Sequence, residues 1–171
     1  MKLHCAVLTI SDGAYAGIRQ DASGPAVAAR LAQAGHAVVV QAVLPDEREQ
    51  IAAKLRVLAR AEACDAIFTT GGTGLSARDV TPEATRSVIE REIPGLGELM
   101  RAEGLRTTRR AALSRSTAGT LGRTVIVNLP GSPKGAVESL DAILELVPHV
   151  VELLHGRTEH PPSGAAAAKP E

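Results

Sequence analysis

Short apolar runs alternate with amphipathic helical patterns through the first half of the chain. Runs rich in valine, leucine and isoleucine at 5–10 and 37–44, and a shorter run at 65–70, have the composition of buried strands. The segments between these runs repeat apolar residues at helical spacing. Strands joined by helices pair in parallel, and the helices must then cover the sheet. We therefore expect a three-layer α/β/α fold, with a mostly parallel, Rossmann-like sheet and helices on both faces.

The same pattern continues along the chain and predicts one domain over residues 1–155. A further strand is expected at 124–129, followed by a helix from Pro133 that Pro148 should kink or end. Proline, alanine, serine and glycine dominate residues 156–171. Such a composition cannot build a packed core, so it predicts a disordered tail.

Residues 69–85 form the most unusual segment, Thr-Thr-Gly-Gly-Thr-Gly-Leu-Ser-Ala-Arg-Asp-Val-Thr-Pro-Glu-Ala-Thr. The third apolar run leads into three glycines within four residues, and Thr81-Pro82 then starts a helix. Glycines let backbone N–H groups approach an anion closely, and a helix N-terminus adds partial positive charge. The spacing is neither that of a P-loop nor that of a dinucleotide fingerprint. The segment therefore indicates a phosphate-bearing ligand but neither a kinase nor a redox enzyme.

Three strand-to-helix junctions carry polar or glycine-rich segments, at 11–13, 71–79 and 128–134. In an open parallel sheet such junctions lie at one edge, where ligands bind at the point at which the strand order reverses. We expect the three segments to form one pocket. The first of them could also be an ordinary turn, because serine, aspartate and glycine favour turns.

An acidic residue, Asp46, stands before the helical pattern that follows the second strand. With Glu49 it forms a capping-box-like pair in front of the apolar residues of that helix. A capping role and a functional role are both compatible with this position.

The composition narrows the classes of ligand and partner. Lysine plus arginine and aspartate plus glutamate both total 19, so the net charge is zero and no basic footprint for nucleic acid is present. With one Phe, one Tyr and no Trp, a pocket must hold its ligand through backbone, hydroxyl and charged groups. No apolar run approaches the roughly 18 residues of a membrane span, and no signal-peptide pattern is visible. We expect a cytoplasmic protein that acts without nucleic acid or membrane.

Common catalytic and metal-binding patterns are missing from the sequence. The histidines have no metal-ligand spacing, and no serine or cysteine stands in a pattern with histidine that marks a nucleophile. Cys5 and Cys64 are isolated and are expected to be free thiols in a reducing compartment.

Four separated motifs together resemble one family, the MogA/MoaB family of molybdenum-cofactor biosynthesis, which also includes the N-terminal domain of gephyrin. The motifs are Thr70–Gly74, Arg78–Thr85, Leu113–Gly119 and Asn128–Lys134. The resemblance runs in order over about residues 3–155. The stretch Pro94–Arg101 and the pair Pro133-Lys134 resemble the MogA branch more than MoaB.

The resemblance implies a molybdopterin adenylyltransferase, which joins the terminal phosphate of molybdopterin to AMP from Mg-ATP and releases pyrophosphate. It also implies Mg²⁺ as cofactor, a homotrimer, and a MoeA-like partner that inserts the metal into the product. The nucleophile would be a phosphate monoester with a second pKa of about 6. It is already anionic at neutral pH, so the reaction needs no general base.

The resemblance also assigns the site residues. Those that match the family's catalytic acids, and would hold Mg²⁺, are Asp79 and Asp46. The nucleotide and phosphate side would include Ser11, Asp12, Gly71, Gly72, Thr73, Gly74, Arg78, Thr81 and Glu83. The molybdopterin side would include Ser114, Asn128, Pro130, Gly131, Ser132 and Lys134. Arg78 could pair with phosphate or with Asp79.

Two other functions stay open. One is a non-catalytic molybdopterin-binding protein of the MoaB type, and the other is a CinA-like nucleotide hydrolase. The Arg78–Glu83 loop disfavours the hydrolase, because the CinA-type domain carries a different pattern after its glycines.

Overall fold

The computed structural model describes residues 1–61 and 64–156. Its strands are β1 (His4–Ile10), β2 (Ala37–Leu44), β3 (Ala66–Thr70), β4 (Arg91–Glu92), β5 (Ala118–Leu121) and β6 (Thr124–Leu129). Its helices are α1 (Asp12–Tyr15), α2 (Ser23–Gln33), α3 (Arg48–Arg60), α4 (Thr81–Arg86), α5 (Pro94–Thr107), α6 (Pro133–Ile143) and α7 (Leu146–Leu154), with a 3-10 helix at Arg109–Leu113.

The strands form one six-stranded sheet in the order β2-β1-β3-β6-β5-β4. The first four in this order are parallel, and β5 and β4 continue the sheet in antiparallel fashion. In register, Val7 of β1 lies beside Phe68 of β3, which lies beside Val127 of β6. The chain moves outward from β1 to β2 and then returns past β1 to β3. The strand order therefore reverses between β1 and β3, and ligands bind parallel sheets at this kind of position.

Helices cover both faces of the sheet, which confirms the predicted α/β/α arrangement. Alternate strand residues point to opposite faces, so Val7 and Phe68 belong to one buried cluster with residues of α2, α5, α6 and α7. Leu8 and Ile67 belong to a second cluster with residues of α3 and α4. Each cluster surrounds apolar strand residues that are almost fully inaccessible, and their burial is the main favourable contribution to folding.

Both cysteines are free, as expected, and the structure shows that both are buried. Cys5 and Cys64 belong to different clusters, on opposite faces of the sheet. Burial raises the pKa of the Cys5 thiol to about 12, so this thiol stays protonated at neutral pH and acts as a small apolar residue.

Several local expectations differ from the structure. β4 and β5 are not apparent from the sequence, because β4 has two exposed residues and β5 is built on small residues and threonine. The break expected at Pro148 falls earlier, at Leu144–Glu145, and Pro148 lies in the first turn of α7, where a missing N–H is tolerated. The predicted tail lies outside the described residues apart from Gly156. Among the described helices, none is long and apolar enough to span a membrane.

Candidate functional site

Two adjoining cavities lie where the three predicted loops meet. The first has a volume of about 410 Å³ and extends toward α5 and the 3-10 helix. The second has a volume of about 530 Å³ and extends toward the end of β1 and the start of α2. The residues that line both cavities are Gly72, Asp79, Gly131 and Ser132. Two loops from distant parts of the sequence therefore form the wall between the cavities.

The loop at 71–79, here called the glycine loop, has a backbone path that favours glycine. Gly71 and Gly72 have φ values of 101° and 64°. A Cβ atom on Gly71 would lie 2.3 Å from the carbonyl oxygen of Ile10, and one on Gly72 would lie 2.2 Å from the hydroxyl of Thr81. The loop passes too close to β1 and to the start of α4 to carry side chains at these two positions.

Backbone N–H groups of the glycine loop are available to a ligand. The N–H of Gly71 donates to the carbonyl of Leu129. Within the described residues, the N–H groups of Gly72, Thr73 and Gly74 donate no hydrogen bond. Consecutive unpaired N–H groups in a glycine-rich turn form an anion-binding concavity, which supports the predicted phosphate role of the loop.

The Arg115 side chain holds the glycine loop through hydrogen bonds to two of its backbone carbonyls. Its Nε donates to the Gly74 carbonyl at 2.7 Å, and one terminal nitrogen donates to the Asp79 carbonyl at 2.6 Å. Its other terminal nitrogen pairs with the carboxylate of Glu83. Burial is the largest single influence on the pKa of Glu83 and acts to raise it, but the hydrogen bond from Arg115 and the positive charges of Arg115 and Arg86 together lower it, so the net shift is downward. Both ends of the segment that carries Asp79 are therefore fixed by one guanidinium.

Replacing Arg115 by methionine is expected to lower the free energy of unfolding by about 2 kcal/mol, because two carbonyls and the Glu83 carboxylate lose their donor. For a chain of this size the melting temperature should fall by about 4–8 °C. The matched control is Arg106→Met, since Arg106 lies on α5 with a 78% exposed side chain and pairs with the exposed Glu103. Equal melting temperatures for the two variants would contradict the role assigned to Arg115.

Arg78 joins the glycine loop to the segments that carry Asp12 and Glu47. Its guanidinium donates to both carboxylate oxygens of Asp12, at 3.0 and 3.1 Å, and to Glu47 at 2.8 Å. The bond from Arg78 is the main cause that lowers the pKa of Asp12. The alternative left open by the sequence, a pair with Asp79, is therefore not the arrangement found.

Asp46 and Asp12 hold each other by reciprocal hydrogen bonds. The N–H of Asp12 donates to Asp46 at 2.8 Å, and the N–H of Asp46 donates to Asp12 at 3.0 Å. Of the two roles left open for Asp46, helix capping is not the arrangement found, because α3 begins two residues later, after Glu47, and the Asp46 carboxylate accepts from the Asp12 N–H instead.

The half-buried Asp46 carboxylate lies against the glycine loop, 3.1 Å from where a Cβ atom on Gly72 would stand. Its pKa is raised, first by burial and then by the negative charges of Asp12 and Asp79, although the bond from the Asp12 N–H acts in the opposite direction. The carboxylate therefore lies in surroundings that favour a cation beside it.

Asp79 lines both cavities at the end of the glycine loop. Its carboxylate accepts a hydrogen bond from the Ser76 N–H at 2.7 Å. A Cβ atom on Gly74 would lie 2.9 Å from the same carboxylate oxygen, so this position also favours glycine. The loop therefore fixes a carboxylate at the boundary between the two cavities.

The structure brings most of the predicted site residues to the cavities. Those in the cavity walls are Ser11, Asp46, Gly71, Gly72, Thr73, Gly74, Asp79, Ser114, Pro130, Gly131 and Ser132. The others are Asp12, Arg78, Thr81, Glu83, Asn128 and Lys134.

The six residues outside the walls have other partners. Thr81 is fully buried and donates to the Gly71 carbonyl, while Asn128 is fully buried and donates to the hydroxyls of Thr69 and Thr85. Asp12, Arg78 and Glu83 belong to the ion pairs described above. The exposed ammonium of Lys134 lies 3.7 Å from Glu138. In this conformation these residues support the loops or lie beside them.

Some residues in the cavity walls were not predicted. The first cavity also includes Met100, Arg101 and Arg110, and the second includes Arg19 and Asp21. Asp21 accepts bonds from the Thr9 hydroxyl and the Gly24 N–H. The Asp-Ala-Ser-Gly segment ahead of α2 could have indicated Asp21, whereas the arginines follow only from the path of α5 and the 3-10 helix.

Comparison with known proteins agrees with this architecture. The family described as "Probable molybdopterin binding domain" matches residues 6–149. The molybdopterin adenylyltransferase of Helicobacter pylori is 40% identical over 156 residues, which are 90% of this chain and 89% of that protein. The enzyme of the same name from Escherichia coli K12 is 35% identical over 184 residues, with 99% and 94% covered.

The chain is also similar to a solved structure, that of the molybdopterin biosynthesis enzyme MoaB of Thermus thermophilus. The TM-score is 0.85 and the sequence identity is 51%, and the match covers 90% of this chain and 97% of that chain. The relatives therefore carry names from both branches. Because the family match spans most of the chain and these relatives align over nearly their whole length, the chain belongs to the family of molybdopterin binding domains that includes MogA and MoaB.

Proposed function

We propose that this protein is a molybdopterin adenylyltransferase of molybdenum-cofactor biosynthesis. An oxygen of the molybdopterin phosphate would attack the α-phosphorus of ATP, a P–O–P linkage to AMP would form, and pyrophosphate would leave. The observation that carries the proposal is the pair of cavities that meet at Asp79 and the glycine loop. Two substrates that must join through phosphates need this kind of shared boundary. The names of the relatives support the same activity.

The chemistry of the walls supports one placement of the substrates. The first cavity includes Met100 and Leu113 beside Arg101 and Arg110, so it offers apolar contact for a flat pterin and donors for its polar edge. The second is lined by polar groups such as Ser11, by aspartates and by the glycine loop, which suits a nucleotide triphosphate. The free N–H groups between the cavities would hold phosphate oxygens of both substrates.

This chain's own residues would act by position and charge. The phosphate nucleophile is anionic near neutral pH, so no side chain has to remove a proton. Glycine-loop N–H groups would bring the reacting phosphates together, and removing the freedom of two bound reactants lowers the barrier by several kcal/mol, about 7–11 in well-oriented cases. The Ser132 hydroxyl caps α6 by accepting from the Gly135 N–H at 3.2 Å and lies where a phosphate of either substrate could contact the loop.

Mg²⁺ is the cofactor we propose, held by Asp46 and Asp79. Within the described residues no group of three or more His, Cys, Asp or Glu side chains is arranged as a metal site. Mg²⁺ on nucleotide phosphates commonly takes one or two carboxylates, with phosphate oxygens and water completing its shell. Two aspartates on the second cavity, with the pKa of one raised by burial and neighbouring carboxylates, fit that mode. When bound, the ion would neutralise the triphosphate.

Replacing Asp46 by asparagine is expected to slow turnover by about tenfold or more without lowering stability at pH 7. When folding raises the pKa of a carboxyl, that group contributes to stability. The contribution is fully present at pH values below the ordinary pKa of about 3.9 and is lost as the pH rises through the raised pKa. Asparagine keeps an acceptor for the Asp12 N–H and carries no charge. The melting temperature of the variant, relative to that of the native protein, should therefore rise between about pH 4 and pH 7.

Glu49→Gln is the matched control, since Glu49 lies in the first turn of α3 and outside both cavities. Its turnover should equal that of the native protein. Normal turnover with a lower melting temperature in Asp46→Asn would assign Asp46 a structural role.

The direct test is to mix the purified protein with molybdopterin and Mg-ATP and to measure pyrophosphate. We expect release that depends on both substrates. Molybdopterin binding without ATP consumption would instead support the non-catalytic alternative of the MoaB type. A solved structure that is 51% identical to this chain carries the name MoaB. Hydrolysis of ADP-ribose would indicate the CinA-like activity.

A homotrimer, a cytoplasmic location and a MoeA-like insertion partner complete the proposal. They rest on the family resemblance. An apolar groove that includes Leu99 and Leu146, both more than 40% exposed, could serve as a contact between copies. Sedimentation of the purified protein would give the number of subunits.

A further inference from the structure

A separate cavity of about 330 Å³ adjoins the first cavity and is here called the arginine cavity. Its walls include the side chains of Arg86, Arg101 and Arg115, together with Glu92, Ser116 and Thr117. Arg101 also lines the first cavity. The Pro94–Arg101 stretch, which the sequence singled out, supplies the remaining wall at Pro94 and Gly97.

The charges in this cavity do not balance. Three arginines line the cavity, and Glu92 is the one acidic residue that the structure describes in its wall. Glu92 is already shared, because it accepts from Thr117 at 2.7 Å and from Arg86 at 3.3 Å. Arg115 has its own partner in Glu83. Arg101 makes no ion pair among the described residues, and its guanidinium donates to the Ser116 carbonyl at 3.0 Å.

Arg101 is half-buried, and a partly buried guanidinium that lines a cavity can bind an anion through charge-assisted hydrogen bonds. Most of its donors are unused in the described structure. Its planar fork matches the geometry of a phosphate or sulfate group.

The backbone keeps space beside this guanidinium. A Cβ atom on Gly97 would lie 2.9 Å from the Ser116 carbonyl and 3.3 Å from Arg101. Any side chain at this position would push into the cavity or displace the arginine. The first turn of α5, which contains Gly97, has no acidic residue, so nothing in that turn neutralises Arg101.

We propose that the arginine cavity binds a tetrahedral oxyanion of the phosphate class, separately from the ligands of the two main cavities. The oxyanion would contact Arg101 and Arg86, with the hydroxyls of Ser116 and Thr117 nearby. Arg115 lines the same cavity and donates to the Asp79 carbonyl. An anion bound here would therefore also influence where the glycine loop places Asp79. The proposal does not depend on the adenylylation reaction.

The test is a calorimetric titration of the full chain with inorganic phosphate at constant ionic strength. Arg86→Gln and Arg101→Gln should each weaken phosphate binding by about tenfold or more, because each removes a charge-assisted hydrogen bond. Arg106→Gln, on the exposed side of α5, should bind phosphate as the native protein does. Arg101→Lys keeps the charge without the fork and should weaken binding by a smaller factor.

Arg86 decides between the arginine cavity and the glycine loop, because it lines neither main cavity. Native affinity in folded Arg86→Gln and Arg101→Gln would place the phosphate on the glycine loop and overturn the proposal. Failure of the native protein to bind phosphate would overturn it too, including the case in which a carboxylate of a second copy fills the cavity. Melting curves of each variant establish that the comparison is made on folded protein.

Discussion

Asp79→Asn is expected to lower pyrophosphate release by about 100-fold or more while leaving the melting temperature within about 2 °C of native. The carboxylate lies at the boundary of both cavities, where the proposed mechanism brings the two anionic substrates together. Asparagine can still accept from the Ser76 N–H, so the loop keeps its local hydrogen bond. The charge that would hold a cation on the triphosphate is lost, and charge is the main barrier in a reaction between two anions.

The measurement is turnover with molybdopterin and Mg-ATP, together with a thermal melt. Asp141→Asn is the matched control, because Asp141 is an exposed aspartate on α6 that pairs with Arg30 and lines neither main cavity. It should keep native turnover. Native turnover in Asp79→Asn would show that Asp79 has no role in the reaction, while the proposed activity itself would stand.

Gly71→Ala should destabilise the protein by about 3 kcal/mol or more, the largest loss of stability expected from any single change discussed. The new Cβ would lie 2.3 Å from the carbonyl oxygen of Ile10, a backbone atom of the central sheet that cannot move aside cheaply. The φ value of 101° adds strain for any residue with a side chain.

Gly35→Ala separates these two causes. Gly35 also has a positive φ, 86°, but a Cβ atom there would have no described atom within 4 Å. We expect this control to cost about 1 kcal/mol, from backbone strain alone. Denaturant unfolding of the two variants gives the difference. A similar loss in both would mean that the contact with Ile10 relaxes easily.

The layers of the fold were predictable because the buried strands are continuous apolar runs. β1, β3 and β6 have both faces covered, so nearly every residue in them is apolar or threonine. The antiparallel edge was not predictable from the same reasoning. Gly119 in β5 lacks a side chain because a Cβ atom would lie 2.6 Å from the Arg91 carbonyl of β4. A glycine required by close packing has the same appearance in a sequence as one in a loop.

The convergence of three loops on one pocket also followed from the sequence, because parallel strands end at the same edge. The partners of charged residues did not follow. Arg78 stands next to Asp79 in the chain but pairs with Asp12, which is 66 residues away. Arg115 belongs to a recognisable motif, yet its contacts with the glycine loop depend on how β5 approaches α4. Such pairings are set by distances in the folded sheet, and periodicity does not encode them.

The hydrogen bonds that shape the glycine loop have a consequence for how the protein is made. Arg115 reaches the Gly74 carbonyl across 41 residues of sequence, and the Thr70 hydroxyl reaches the Pro130 carbonyl across 60. Synthesis proceeds from the N-terminus at about 5–20 residues per second. The ribosome therefore finishes the loop several seconds before it finishes the residues that hold it in place. A nascent chain would carry the glycines before the proposed phosphate site has formed, and we expect ligand binding to begin only once the last strand has joined the sheet.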